Sequence, residues 1–264
     1  MSHYDIIYSV LCHESLECVD DLISNIFKFN HKYNVLIVLN LNSYLGKMLT
    51  DHHFPENVLV YPRYTEKRTF HISILQGHID NYNYIKEMKI NCDYYCAISS
   101  NSLFVRSVQM DKIKEYYDEH MTGTGCYERK YESLTGWHWD AFNKNSLLVD
   151  VFRKNRIYTY SGAMEGRFYI KEIWEQVIQT IKQYDMISKV TLNTAFEEII
   201  PSSLEMYHYG FKVPIICKVY WHVQDYRVDV KHIDEFNKEE NYMSMVKRVY
   251  RDIKDPIRTY IRGL

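Results

Sequence analysis

The chain has 264 residues, 46% of them hydrophobic and 25% charged, with a formal net charge of −2. That composition can bury about 70–75% of the unfolded surface, and it lacks the basic footprint of a non-specific nucleic-acid binder, so no nucleic-acid partner is expected. No apolar run reaches the ~18 residues of a membrane-spanning helix. The opening Met1-Ser2-His3-Tyr4-Asp5 does not read as a secretory leader, and the six cysteines have no framework spacing, so a reduced, cytoplasmic protein without a transmembrane segment is expected.

Asp5–Cys12 is an almost continuous apolar run and reads as a buried strand. Ser15 can cap the helix that follows, whose Leu16, Val19, Leu22, Ile23, Ile26 and Phe27 share one face. Asn34–Asn40 and Asn57–Tyr61 read as the second and third strands. This β-α-β opening predicts a parallel sheet with right-handed crossovers. Ligands of such sheets bind beyond the carboxyl ends of the strands, which makes His13, Asn40, Asn42 and Arg63 candidate mouth residues.

Arg63–Ile72 is polar and basic, and a helix is expected from about Ser73 to Met88. Tyr94–Ser99 reads as a fourth strand ending in Ser100-Asn101-Ser102, and Gln109–His120 as a helix. From Met121 to Ser161 the pattern dissolves around Trp137-His138-Trp139, a length of loop that is usually functional or disordered. Phe168–Tyr184 reads as a helix, and Val213–Val219 as a late strand. Between them Ala195–Ser203 sets Glu197 and Glu198 before Ile-Ile-Pro, with Pro201 expected to stop local structure. An acid at such an apolar wall shifts its pKa or finds a partner, which suits a general base. The same pair also fits an exposed helix start.

The histidines of Asp51-His52-His53 and Trp137-His138-Trp139 have no second ligand cluster at zinc spacing, and no Asp-x-Asp triplet occurs. Neither a P-loop nor a dinucleotide fingerprint is present, and no Ser or Cys sits in a nucleophile signature. Lys247-Arg248 could neutralise a diphosphate by charge-assisted hydrogen bonds. Lys254, Arg258 and Arg262, at i, i+4 and i+8, read as a solvated helical face.

Taken in order, the β-α-β start, Ile98-Ser99-Ser100-Asn101-Ser102-Leu103, Glu165-Gly166-Arg167-Phe168, Glu197-Glu198-Ile199-Ile200-Pro201-Ser202 and Val246-Lys247-Arg248-Val249 resemble the Core-2/I-branching glucosaminyltransferase family, which also contains the protein xylosyltransferases. In the fourth-strand motif Ser99 matches, while Ser100 stands for a glycine and Ser102 for the family's acid. The family's catalytic-base motif falls on Glu197, and its late basic motif on Lys247 and Arg248 in reversed order. After the second strand, Asn40 stands where the family has an acid.

The resemblance implies a single-domain α/β protein of GT-A-like glycosyltransferase fold over 1–264. Residues 1–120 would form a Rossmann-like, nucleotide-binding half, and 121–264 an acceptor-binding and catalytic half around a central mixed sheet. It implies metal-independent, inverting transfer from a nucleotide-diphosphate sugar, a UDP-sugar being the first expectation, to a hydroxyl of a glycan or glycoconjugate. Glu197 would be the base. His13, Asn40, Arg63, Arg68, Ser99, Lys247 and Arg248 would hold the nucleotide sugar, and Trp137, Trp139, Glu165 and Arg167 the acceptor. No cofactor and no metal site are implied. A non-catalytic nucleotide- or glycan-binding module on the same scaffold, and a metal-dependent GT-A transferase, are the alternatives.

Overall fold

The computed structural model describes residues 2–63, 71–122, 137–220 and 227–264. The chain opens with β1 (His3–Cys12), α1 (Leu16–Phe29), β2 (Val35–Leu41), α2 (Ser43–Lys47), β3 (Val58–Val60), α3 (Ser73–Glu87) and β4 (Asn91–Ser99). There follow β5 (Ser102–Phe104), α4 (Met110–Met121), α5 (Trp137–Lys144), α6 (Ser146–Lys154), β6 (Arg167–Ile170), α7 (Lys171–Gln183) and α8 (Phe196–Tyr209). The remainder is β7 (Cys217–Val219), α9 (Val230–Asn237), β8 (Met245–Lys247) and α10 (Pro256–Gly263). No helix among the described residues is long and apolar enough to cross a membrane.

The fold is mixed α/β with a central mixed sheet of order β3-β2-β1-β4-β6. β1 pairs in parallel with β2 on one side and β4 on the other, β2 in parallel with β3, and β6 antiparallel to β4. Strand β2 is buried at every residue and β1 from Ile6 onward, which is why they read as unbroken apolar runs. Helix α1 is capped by Ser15, whose side chain accepts from the Cys18 N–H, and buries Val19, Leu22, Ile23 and Ile26. The chain leaves β1 for β2 and β3, then returns across β1 to β4. The β1/β4 boundary is therefore a topological switch point, where open α/β sheets bind ligands.

A second sheet, β5-β8-β7, lies just past this boundary in sequence: β5 follows β4 after two residues, and Ser102 is in register with Lys247 of β8. The Val249 N–H donates to the Asn101 carbonyl at 3.1 Å, tying the late basic segment to the end of β4.

Several expected boundaries differ. Phe168–Tyr184 is not one helix: Arg167–Ile170 forms β6 against Tyr94–Ala97, and α7 begins at Lys171. The patternless 121–161 region contains α5 and α6. The late strand shrinks to Cys217–Val219, with Ile215 making only an isolated bridge to Arg167. Pro201 does not end structure but lies inside α8. Arg258 is no solvated face residue: it is fully buried, with Nη1 2.6 Å from Asp21 Oδ2.

Candidate functional site

The site is built from three segments meeting past the carboxyl ends of β1 and β4. The first is the turn before β6. Gly166 has φ of +80°, and a Cβ there would lie 2.4 Å from the Cβ of Cys217, so only glycine fits. Its N–H donates to the Ala97 carbonyl at 2.7 Å and its carbonyl accepts from the Ile216 N–H at 2.8 Å. This close approach fixes the adjacent Glu165 between the two sheets.

The second segment is the first turn of α8, carrying Glu197 and Glu198. Pro201 has no N–H to give the Glu197 carbonyl, and the turn is tied down from outside instead. The Glu198 carbonyl accepts from the Gly162 N–H at 3.0 Å and from the Ser202 hydroxyl at 2.7 Å. The third segment is the end of β8, which delivers Lys247. Lys247 Nζ donates to Glu165 Oε1, an ion pair whose side chains are only 19% and 15% exposed.

Three carboxylates thus share the neighbourhood of one ammonium, and their proton affinities separate. Burial alone would raise Glu165, but the charge and hydrogen bond of Lys247 overcome it and hold its carboxyl below the usual range. Glu197 is buried and pushed well above that range by desolvation, with the charges of Glu165 and Glu198 adding to the effect. Its Oε2 has no hydrogen-bond partner among the described residues. Glu198 is half-buried and pushed up to about 7, again by burial first and then by Glu165, with Lys247 and Arg167 partly offsetting. A carboxyl that exchanges its proton near neutrality is what general acid–base chemistry requires.

Around this cluster lie further charged groups. His13, directly after β1, is exposed, and its proton affinity is lowered by burial of the ring and by the charges of Arg251 and Lys247, against the opposite pull of Glu14. The Glu14 side chain is fully buried, with Arg251 Nε 2.9 Å from its Oε1. Glu14 carries no signal in the sequence, because its partner Arg251 lies at the other end of the chain.

Of the residues expected in the site, the structure brings together Glu165, Glu197 and Lys247, with His13 at the same edge. Arg248 follows Lys247 with φ of +83°, and its carbonyl accepts from the Val228 N–H. Ser99 Oγ is engaged by Asn101 Oδ1 at 3.0 Å and Ser102 Oγ at 3.1 Å. Asn40 is not at the mouth: it is fully buried, donating to Asn81 Oδ1 at 3.1 Å beneath α3. Arg63 is exposed beyond β3. Arg68 and the side chains of Trp137 and Trp139 lie outside the described residues. Arg167 does not face an acceptor: it is fully buried and salt-bridged at 2.5 Å to the equally buried Glu205, which also accepts from Tyr169 Oη at 2.7 Å. The three residues His3, Asp5 and Asp93, whose ligand atoms lie within 4.8 Å of one another, sit at the opposite, amino end of β1 and β4.

No protein-family model matches the chain, and no curated protein matches it in sequence. Among solved structures the chain is similar to an active-site mutant of LgtC, at 11% identity and a TM-score of 0.42, over 98% of this chain and 95% of that one.

Proposed function

We propose that this protein is a metal-independent, inverting glycosyltransferase of GT-A-like fold, related to the Core-2/I-branching family, using a nucleotide-diphosphate sugar. The observation that carries the reading is the Glu165–Lys247 ion pair, set by the Gly166 N–H bond to the Ala97 carbonyl near the end of β4, with the half-buried Glu198 within the influence of both charges and its proton affinity pushed up to about 7. Within the adjacent pair Glu197-Glu198, the partly exposed Glu198 fits the base better than Glu197, which is buried and whose proton affinity burial pushes well up.

In the proposed reaction Glu198 takes the proton of an acceptor hydroxyl as its oxygen bonds to the anomeric carbon. The bond from that carbon to the diphosphate breaks on the opposite face, and the electron pair leaves with the diphosphate. Lys247, Arg248 and Arg251 supply the positive charge near the leaving group, the preorganised electrostatic contribution that is often largest in such steps. These cations would do the work that a divalent ion does in a metal-dependent transferase.

The test is a thermal-shift and transfer assay against nucleotide-diphosphate sugars, UDP-sugars first, with EDTA or with a divalent ion. Native-state binding raises stability by mass action. Transfer that survives EDTA is expected. Transfer lost on EDTA and restored by a divalent ion would replace the metal-independent reading. Binding without turnover would favour a non-catalytic module, and neither binding nor transfer would refute the reading.

A further inference from the structure

Arg167 carries its N–H donors in a planar fork, and each of its three nitrogens donates inside the protein. Nε donates to the Ala163 carbonyl at 2.8 Å, and Nη1 to both carboxylate oxygens of Glu205 at 2.5 Å. Nη2 donates to the Gly162 carbonyl at 3.1 Å and to Ser202 Oγ at 2.5 Å. The side chain is fully buried, so the fork faces the interior and not a sugar.

The fork joins two parts of the candidate site. Gly162 and Ala163 belong to the loop that leads to Glu165, while Ser202 and Glu205 belong to α8, which carries Glu197 and Glu198. The two groups that clamp the Glu198 carbonyl, the Ser202 hydroxyl and the Gly162 N–H, come from residues that Arg167 itself holds. The fit is close: a Cβ on Gly162 would lie 2.7 Å from Arg167 Nη2. Tyr160 adds a second tie, its N–H donating to Ser203 Oγ at 2.9 Å.

We propose that Arg167 is a positioning residue that straps the Glu165 loop to the first turns of α8, and so holds the Glu165 and Glu198 side chains at one working separation. The proposal deepens the transferase reading and depends on it only for activity measurements. The charged groups facing Glu198 are Glu165 from the loop, Lys247 from β8, Arg167 from β6 and the neighbouring Glu197. Of these, the repulsion from Glu165 is the one that the strap controls.

The experiment titrates the Glu198 carboxyl by carbon NMR in protein labelled at glutamate side chains, the signal being assigned by its loss in Glu198→Gln. Ser202→Ala removes the hydroxyl between Arg167 and the Glu198 carbonyl while leaving the Arg167–Glu205 pair intact. Loosening the strap lets Glu165 move away, so the Glu198 midpoint is expected to fall by at least about half a unit, about 3-fold in proton affinity. Arg167→Lys keeps the charge but loses the fork and is expected to move the midpoint the same way. An unchanged midpoint in folded Ser202→Ala, with only a lower Tm, would reduce the network to packing and overturn the proposal. A raised midpoint in Arg167→Lys would overturn it too, since slackening the strap at constant charge should lower the proton affinity of Glu198 and not raise it. If Arg167→Lys does not fold, Ser202→Ala decides alone. The titration needs no substrate, so a failure to detect transfer would count against the function and leave this test standing.

Discussion

Lys247 closes its ion pair on Glu165, while a buried oxygen of Glu197 has no partner among the described residues. With Lys247 committed to Glu165 and Arg167 to Glu205, little positive charge is left to offset the burial of Glu197 and Glu198. The proton affinity of Glu165 is held low by Lys247, that of Glu197 is pushed well up by burial, and that of Glu198 is raised to about 7. The three titrate as a coupled set, and what the site can do follows from which member holds the proton.

The first consequence concerns the base. Glu198→Gln removes the group that exchanges its proton near neutrality, and transfer is expected to fall by about 10²–10⁴ in kcat, the usual weight of a general base. Glu197→Gln replaces a buried carboxyl, whose neutral form burial favours, with a neutral amide of the same shape, and is expected to cost under about 10-fold in a role that is not the base. Initial-rate assays of both variants decide, and the reverse ranking would return the base to Glu197.

A second consequence is a pH dependence of stability. The folded-state affinities of Glu197 and Glu198 lie above the ordinary 4.5, so the folded protein holds protons that the unfolded chain has released. Their contribution is fully present below about 4.5 and is lost as pH rises, for Glu198 through about 7. Glu165 acts in the opposite sense, since its lowered affinity gives stability that is lost as pH falls. Glu198→Gln removes one of the rising penalties. Urea unfolding should show it more stable than the parent by on the order of 2 kcal/mol at pH 8, and no more stable near pH 4. Equal stabilities at pH 8 would contradict the raised affinity.

The Lys247–Glu165 pair makes a third prediction, through a double-mutant cycle. Lys247→Met alone leaves a carboxylate that is 15% exposed without its ammonium, and is expected to cost about 3 kcal/mol at neutral pH. Adding Glu165→Gln removes the stranded charge and should restore most of that loss, giving a large coupling energy. Transfer should stay lost in the double variant, because the cation near the leaving group is gone. Additive losses in urea would show that the pair is not energetically linked.

How much of this was legible from sequence depended on how local the determinant is. β1, β2 and α1 were readable because each buries a continuous run or a regular face. β5, β7 and β8, three residues apiece, carry no period long enough to recognise. Phe168 and Tyr169 extended the apolar pattern of α7 backward and concealed β6, and Pro201 looked like a stop because the outside tie from the Gly162 N–H to the Glu198 carbonyl is not local. Glu165, Glu197 and Lys247 were all singled out, but the pairing of Glu165 with Lys247 spans 82 positions, so which acid would hold the cation could not be read from either neighbourhood. Burial likewise divided Glu197 from Glu198, two residues of the same type side by side.

Arg258 gives the last prediction, and it concerns the fold alone. Its side chain is fully buried, with Nη1 2.6 Å from Asp21 Oδ2 and Nε donating to the Tyr250 carbonyl at 2.8 Å. Asp21 is shared, since Arg262 Nε lies 2.6 Å from its other oxygen. The two partners are therefore unequal. Removing Arg258 leaves Asp21 still paired with Arg262, whereas removing the Asp21 charge strands the guanidinium of Arg258 in the interior. Asp21→Asn is expected to cost about 3–5 kcal/mol, the price of an uncompensated buried charge, and Arg258→Met distinctly less. Chemical denaturation of the two variants tests the order, and a larger loss from Arg258→Met would refute it. Because the pair joins α1 to α10 and not to the carboxylate cluster, neither substitution should move the titration of Glu198.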